Sequence, residues 1–306
     1  MGTPEFAVPS LKALSDAGYE IVGVFTQPDR PSGRGNRIRM SPVKQFALEK
    51  GIPVFQPVKI RLESVDTLRE LAPDLCVTAA FGQILSQAIL DIPRLGTVNV
   101  HASLLPKHRG SAPIAWAILE GDTQIGVTTM VTERGIDTGD MLMSASMPLD
   151  PARTCGEWTE TLSQTGAELL IRTIQAMEKG DCPRTPQNEA DMSYDPMLTK
   201  EMGLLSFAES NVRVRNRIHA LNPWPCCSVA LDGGRLKILR AQLAEGGGQP
   251  GEVLAADPGH GLIVACAQGA VRLLEIQSPG GKAMRAEDWL RGHHVETGSI
   301  WGEEHE

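Results

Sequence analysis

Asn99 and His101 stand two residues apart in the run Thr97-Val98-Asn99-Val100-His101. On an extended strand that spacing puts both side chains on one face. They fall at the C-terminal end of an expected parallel strand, where open α/β sheets gather their ligands. A side-chain amide beside an imidazole suits acyl transfer, because both can donate to an oxygen that gains negative charge. One such donor is typically worth roughly 3–4 kcal/mol of barrier. Taken alone, an Asn and a His also serve as ordinary strand-end residues. A second candidate, Gly135-Ile136-Asp137-Thr138-Gly139-Asp140, sets a carboxylate between glycines that permit a tight turn and close approach to a ligand. A carboxylate beside an imidazole favours its charged form, the form that best stabilises an anion. Distance along the chain does not say whether Asp137 reaches His101.

The segment Pro28 to Lys44 carries Arg30, Arg34, Arg37, Arg39 and Lys44 against Asp29 alone, a local +4 within a chain of net charge −8. Gly33 and Gly35 loosen it, and its arginines suit phosphate. A solvated basic loop would have the same composition. Arg213, Arg215, Arg217 and His219 spread around a helix and form a weaker cluster. G-x-x-x-x-G-K-[ST] does not occur, and the single G-x-G-x-x-G match, Gly246 to Gly251, falls in a glycine-rich turn with Pro250 rather than between a strand and a helix, so phosphate-loop and dinucleotide readings fall away. G-x-S-x-G, the usual α/β-hydrolase nucleophile, is missing as well. The six cysteines include no C-x-x-C pair, and no His cluster has zinc spacing, so idle thiols and no metal are expected.

The elements that must position these groups alternate through the first 180 residues or so. Strands are expected at Tyr19–Thr26, Leu75–Phe81, Thr97–Ser103, Ile125–Thr132 and Met141–Pro148. Helices are expected at Pro42–Lys50, from Pro113 to Leu119, and at Ser163–Met177, the last ending at Gly180. Continuous Val/Ile/Ala runs separated by helices indicate an α/β domain, doubly wound around a mainly parallel sheet, over residues 1–182. Residues 183–202 are polar, proline-bearing and aperiodic, as a linker would be. A helix near Ser210–Leu221 then stops at Asn222-Pro223-Trp224-Pro225. Short strands at Arg235–Ala241, Gly261–Cys266 and Ala270–Gln277 point to a small β-barrel within 203–306.

At 306 residues two domains are expected, and with 4% aromatics their cores must be mainly aliphatic. No apolar run approaches the roughly 18 residues that cross a bilayer, and the N-terminus lacks a basic-then-apolar leader pattern. Phe6 stands where a myristoylation signal wants Ser or Thr. A cytoplasmic protein acting as a monomer is expected.

Together GTPEFA (2–7), FTQPDRPSGRG (25–35), SPVK (41–44), NVHASLLPKHRGSAPI (99–114), GIDTGDM (135–141) and NPWP (222–225) resemble the methionyl-tRNA formyltransferase family, in family order across most of the chain. The N-x-H, SLLP and Asp-x-Gly elements are shared by the wider group of formyltetrahydrofolate-using enzymes; the basic insertion and the linker-plus-barrel ending single out the tRNA-directed family. The resemblance implies a doubly wound N-terminal domain, an OB-like C-terminal domain, and formyl transfer from 10-formyltetrahydrofolate to initiator methionyl-tRNA. It implies that Asn99, His101 and Asp137 are catalytic and that Ser103, Leu104, Leu105 and Pro106 contact the folate. It matches Arg34 to the loop arginine that meets the tRNA end, with Arg37, Arg39 and Lys44 alongside. Members carry a short apolar strand before the Gly-Thr-Pro turn, whereas Met1 here directly precedes Gly2. Loss of that strand is expected to leave backbone groups on its neighbours unpaired. The alternatives are formylation of a small amine such as an amino sugar, a non-catalytic tRNA-binding protein, and a folate hydrolase releasing formate.

Overall fold

The computed structural model describes residues 1–32, 37–231 and 234–302. Its contacts divide the chain into two compact units, one of Met1–Pro113, Ile125–Met147 and Thr159–Asp195, the other of Ile114–Gln124, Pro148–Trp158 and Pro196–Glu306.

The strands of the first unit are β1 (Val24–Phe25), β2 (Arg30–Ser32), β3 (Arg37–Arg39), β4 (Val54–Phe55), β5 (Cys76–Thr78), β6 (Thr97–His101), β7 (Arg109–Gly110), β8 (Gln124–Val131), β9 (Met141–Pro148) and β10 (Tyr194–Asp195). Helices α1 (Val8–Asp16), α2 (Pro42–Glu49), α3 (Ile60–Glu63), α4 (Val65–Leu71), α5 (Gln87–Leu90), α6 (Pro113–Glu120) and α7 (Cys155–Lys179) intervene or follow. β1 pairs with β4 in parallel, and their Phe25 and Phe55 rings stack at 4.9 Å. Phe25 joins Ile60, Leu68, Phe81, Leu85 and Ile89 in a buried cluster.

β5, β6, β8 and β9 form a four-stranded sheet in that order. The β5–β6 pairing is parallel, but β6–β8 is antiparallel, so the sheet is mixed rather than mainly parallel. β1 is two residues long where Tyr19–Thr26 was expected. Its ladder matches that of its parallel partner β4, which is also two residues long. Gly2 N–H donates to the Phe25 carbonyl, and Ala79 N–H donates to that of Met1. One parallel bridge, Gly2 to Ala79, thereby links β1 to β5.

Ser41 caps α2 by accepting the Lys44 N–H, with Pro42 in the first turn, as the SPVK sequence favours. α7 begins eight residues earlier than the amphipathic period suggested. Thr154 and Glu157 form a reciprocal capping box there: Thr154 N–H donates to the Glu157 carboxylate, and Glu157 N–H to the Thr154 hydroxyl.

The second unit is built on α8 (Asn211–Ala220), capped by Ser210, followed by β11 (Cys227–Leu231), β12 (Gly234–Ala244), β13 (Val253–Asp257), β14 (Gly261–Ala265), β15 (Ala270–Gln277), β16 (Met284–Arg285) and α9 (Ala286–Leu290). The strands pair antiparallel in the order β11-β12-β15-β14-β13, with β16 on β15. Among the described residues no pairing closes β11 on β13, so in place of the expected barrel there is an open six-stranded sheet. Strand spacing reports pairing partners and not closure. Val229, Leu236, Ile238, Leu262, Val264, Val271, Leu273 and Ile276 fill the core beside Ile218 and Leu221 of the α8 region.

Candidate functional site

β6 carries two of the expected site residues and is held on every side. β5 lies parallel with Thr78 opposite Asn99, and β8 lies antiparallel with Met130 opposite Asn99 and Thr128 opposite His101. Val98 and Val100 point the other way and are buried. α7 closes on Val100 at Gly166, where an added Cβ would come within 2.8 Å of the Val100 side chain.

The Asn99 amide is oriented by a residue the sequence reading did not single out. Thr78 Oγ1 donates to Asn99 Oδ1 at 2.8 Å, so the amide nitrogen turns toward Asp137, with Nδ2 3.5 Å from its Oδ1. A threonine at the end of the neighbouring strand was visible in the sequence, but only the register puts it opposite Asn99. His101 is buried, and its Nε2 lies 2.8 Å from the His108 carbonyl oxygen. A carbonyl only accepts, so Nε2 bears a hydrogen. Nδ1 is then the ring nitrogen free to exchange a proton, and it stands 3.7 Å from Asp137 Oδ2. Asp137 sits in the left-handed region at φ +54° and accepts the Gly110 N–H at 2.9 Å. Amide, imidazole and carboxylate are therefore brought together, with Asp137 in the middle.

The loop from Ser103 to Gly110 is built mostly of inward bonds. Thr128 Oγ1 donates to the Ser103 carbonyl and accepts the Leu105 N–H. The Ser103 hydroxyl donates to the Lys107 carbonyl at 2.7 Å. Ser103 and Leu105 are buried, while Leu104 and Pro106 are half-buried. β7 then pairs in parallel with β10, which belongs to the stretch read from sequence as a linker. His108 Nδ1 hydrogen-bonds the Asp195 carboxylate at 2.8 Å, and both side chains are buried. Arg109 is buried too; it bonds the Gln187 amide oxygen and both carboxylate oxygens of Glu189. None of Asp195, Gln187 and Glu189 stood out in sequence, since side-chain bonds to loops carry no periodicity.

A cavity of about 770 Å³ opens beside β6, lined by Leu90, Thr97, Thr132, Glu133, Arg134 and Met177 among others. Its size is that of a small-molecule site. Thr97 shares a strand face with Asn99, and Thr132 to Arg134 run directly into the Asp137 turn. The Thr132 hydroxyl is buried there with no hydrogen-bond partner among the described residues.

The basic stretch forms a hairpin in which β2 pairs antiparallel with β3, Arg30 opposite Arg39. Arg39 is exposed and Arg37 lies at the start of β3, while Arg34 lies outside the described residues. Lys44 does not project: its ammonium is 2.5 Å from Asp29 and 2.7 Å from Gln56 Oε1, closing the hairpin's base. The Lys44 ammonium, and then Gln56, hold the Asp29 carboxyl below the usual carboxylate range.

A mixed α/β unit that converges an amide, an imidazole and a carboxylate beside a small-molecule cavity has the equipment of an acyl-group transferase. The family model described as "Formyl transferase" matches residues 1–174, and "Formyl transferase, C-terminal domain" matches residues 197–294. A methionyl-tRNA formyltransferase from Geotalea uraniireducens is 46% identical over 303 residues, spanning 99% of this chain and 96% of that one. Another, from Geobacter sulfurreducens, is 44% identical over 99% of this chain and 96% of its own length. This chain belongs to the methionyl-tRNA formyltransferase family. Solved structures share its fold at lower identity. The sugar 3N-formyl transferase WlaRD, crystallised with dTDP and 5-N-formyl-THF, has a TM-score of 0.64 at 19% identity, covering 89% of this chain and 95% of that one. HypX from Aquifex aeolicus in complex with tetrahydrofolic acid has a TM-score of 0.59 at 21% identity, over 79% of this chain and 43% of that one.

Proposed function

We propose that this chain transfers the formyl group of 10-formyltetrahydrofolate to the free amino group of methionyl initiator tRNA, with Asn99, His101 and Asp137 as its catalytic residues. The observation that carries the reading is the placement of Asp137 between Asn99 Nδ2 and His101 Nδ1, at 3.5 and 3.7 Å. When bound, the folate supplies the activated formyl group. The cavity beside β6 has the volume for such a molecule and presents the Thr132 hydroxyl, which is buried with no hydrogen-bond partner among the described residues. Ser103 to Pro106 would wall the donor chiefly through backbone and the Leu104 and Pro106 surfaces, because Ser103 and Leu105 face inward.

Asn99 Nδ2 and a protonated His101 Nδ1 donate to the formyl oxygen as it gains negative charge. Asp137 orients the imidazolium and takes up the proton released by the attacking amine, directly or through a water. A bond forms from the methionyl nitrogen to the formyl carbon, the bond from that carbon to folate N10 breaks, and N10 leaves with the proton that Asp137 took from the amine, which returns Asp137 to its carboxylate form. Arg34, Arg37 and Arg39 of the basic stretch take the phosphates near the charged end of the tRNA, while Lys44 fixes the hairpin's base. The second unit is read as an OB-like module holding the tRNA body. The chain works as a cytoplasmic monomer of two domains, 1–182 and 203–306, joined through 183–202.

The test presents purified protein and 10-formyltetrahydrofolate with charged initiator tRNA, charged elongator tRNA and an amino sugar. N-formylmethionyl-tRNA from the initiator, exceeding the other products at least tenfold, is expected. Equal turnover of the amino sugar, or formate release without any acceptor, would remove the reading.

A further inference from the structure

We propose that Gln187 is a positioning residue that holds Asp137 in its working orientation; the inference deepens the formyl-transfer reading and rests on it. Gln187 Nε2 donates to the carbonyl oxygens of both Asp137 and Gly139, each at 2.8 Å. Its Oε1 accepts from Arg109 Nε at 2.9 Å. One end of the amide meets two acceptors and the other end a donor, so the opposite orientation would lose all three bonds. Arg109 is itself immobilised, 2% exposed and bonded to both oxygens of the Glu189 carboxylate at 2.8 and 3.2 Å.

The turn that Gln187 clasps needs outside support. Asp137 occupies φ +54°, a conformation that a non-glycine residue keeps only where its surroundings hold it. Gly139 lies so close to β8 that an added Cβ would sit 2.0 Å from the Val131 carbonyl oxygen. The two clasped carbonyls flank the bend, and the backbone between them determines where the Asp137 carboxylate points. Gln187 touches neither Asn99 nor His101 through any of these bonds, so its influence on the reaction passes through Asp137. The same clasp ties the turn to Arg109, whose neighbour Gly110 donates to the carboxylate directly. Backbone and carboxylate of Asp137 are thus referred to one strand, β7.

Two substitutions separate positioning from bulk. Gln187→Met keeps the length and removes every hydrogen bond; Gln187→Glu keeps the acceptor for Arg109 and removes the two donations. Steady-state formyl transfer to charged initiator tRNA should show kcat reduced about 10- to 50-fold in both, with KM for each substrate within about twofold of the parent. In an Asp137→Asn background the same substitutions should add less than a twofold loss, because the group they position is already disabled. Parental kcat in a folded Gln187→Met protein whose Asp137→Asn counterpart is impaired would overturn this inference alone. So would losses that multiply in the double variant, which is the outcome for a purely structural glutamine. Parental turnover in Asp137→Asn would overturn the underlying reading, and this inference with it.

Discussion

The site loops of the first unit and the sheet of the second are held by different physics. Around Asn99, His101 and Asp137 the strands are short, five residues for β6 and two for β7 and β10, and the geometry is specified by side chains bonding to backbone. In the second unit β12 runs for eleven residues and β15 for eight, over a core of aliphatic side chains with almost no exposed surface. A buried polar network sets direction, since each bond works only at one distance and angle. An apolar core sets stability, since its energy depends on area and filled volume. Changes to one polar atom in the first unit should therefore alter chemistry with little effect on melting, and apolar truncations in the second should do the reverse.

Asp137→Asn tests the first half most severely. It keeps an acceptor for the Gly110 N–H and removes the charge; kcat should fall by two to three orders of magnitude, about 3–4 kcal/mol of barrier, with thermal unfolding unchanged. A parallel drop in melting temperature would break the contrast. Leu273→Ala tests the other half: its side chain is fully buried in the second unit's core. Denaturant titration should show about 3 kcal/mol of lost stability, while kcat per folded molecule stays within twofold. Thr78→Val is a smaller and sharper probe, matching the shape but freeing the Asn99 amide to rotate. A kcat loss of about tenfold, roughly 1.4 kcal/mol, with unchanged unfolding would assign Thr78 to direction rather than stability.

The smallest effect concerns a polar pair in the second unit. Arg240, bonding Glu157, holds its carboxyl down to about 2 from an ordinary 4.5. A carboxylate with a depressed folded pKa adds stability above its unfolded pKa, and that stability is lost as pH falls from about 4.5 toward about 2. Glu157→Gln should be slightly less stable than the parent at pH 6, and the gap should close across that window. A gap independent of pH would show that Glu157 acts through its capping bonds to Thr154 rather than through its charge.

Much of this was legible in the residues, and the unread part has a common cause. Met141–Pro148 and Ala270–Gln277 are strands at the bounds their alternation suggested, because period and turn signals are local. The types at Asn99, His101 and Asp137 were equally plain, but their meeting depends on β8 returning antiparallel along β6, with Val98 opposite Val131. Five residues later Ile136 gives way to Asp137 beside Asn99. Thr78 escaped notice because it acts only through register. Gln187, Glu189 and Asp195 escaped because a polar aperiodic stretch looks the same whether it wanders or clasps. Three short strands divided by glycine-rich turns pointed to a small β-barrel in the second unit, yet closure depends on shear and stagger that spacing does not encode.

Gly110 bears a further consequence. It adopts φ +100°, and a Cβ there would stand 2.6 Å from the Asp195 carbonyl oxygen and 3.0 Å from the Tyr194 ring. Handedness and crowding bar every other amino acid at that one place. Divergence in this loop is thereby channelled toward its flanks, and any lineage that altered position 110 would first have to redraw the path of the strand lying against it.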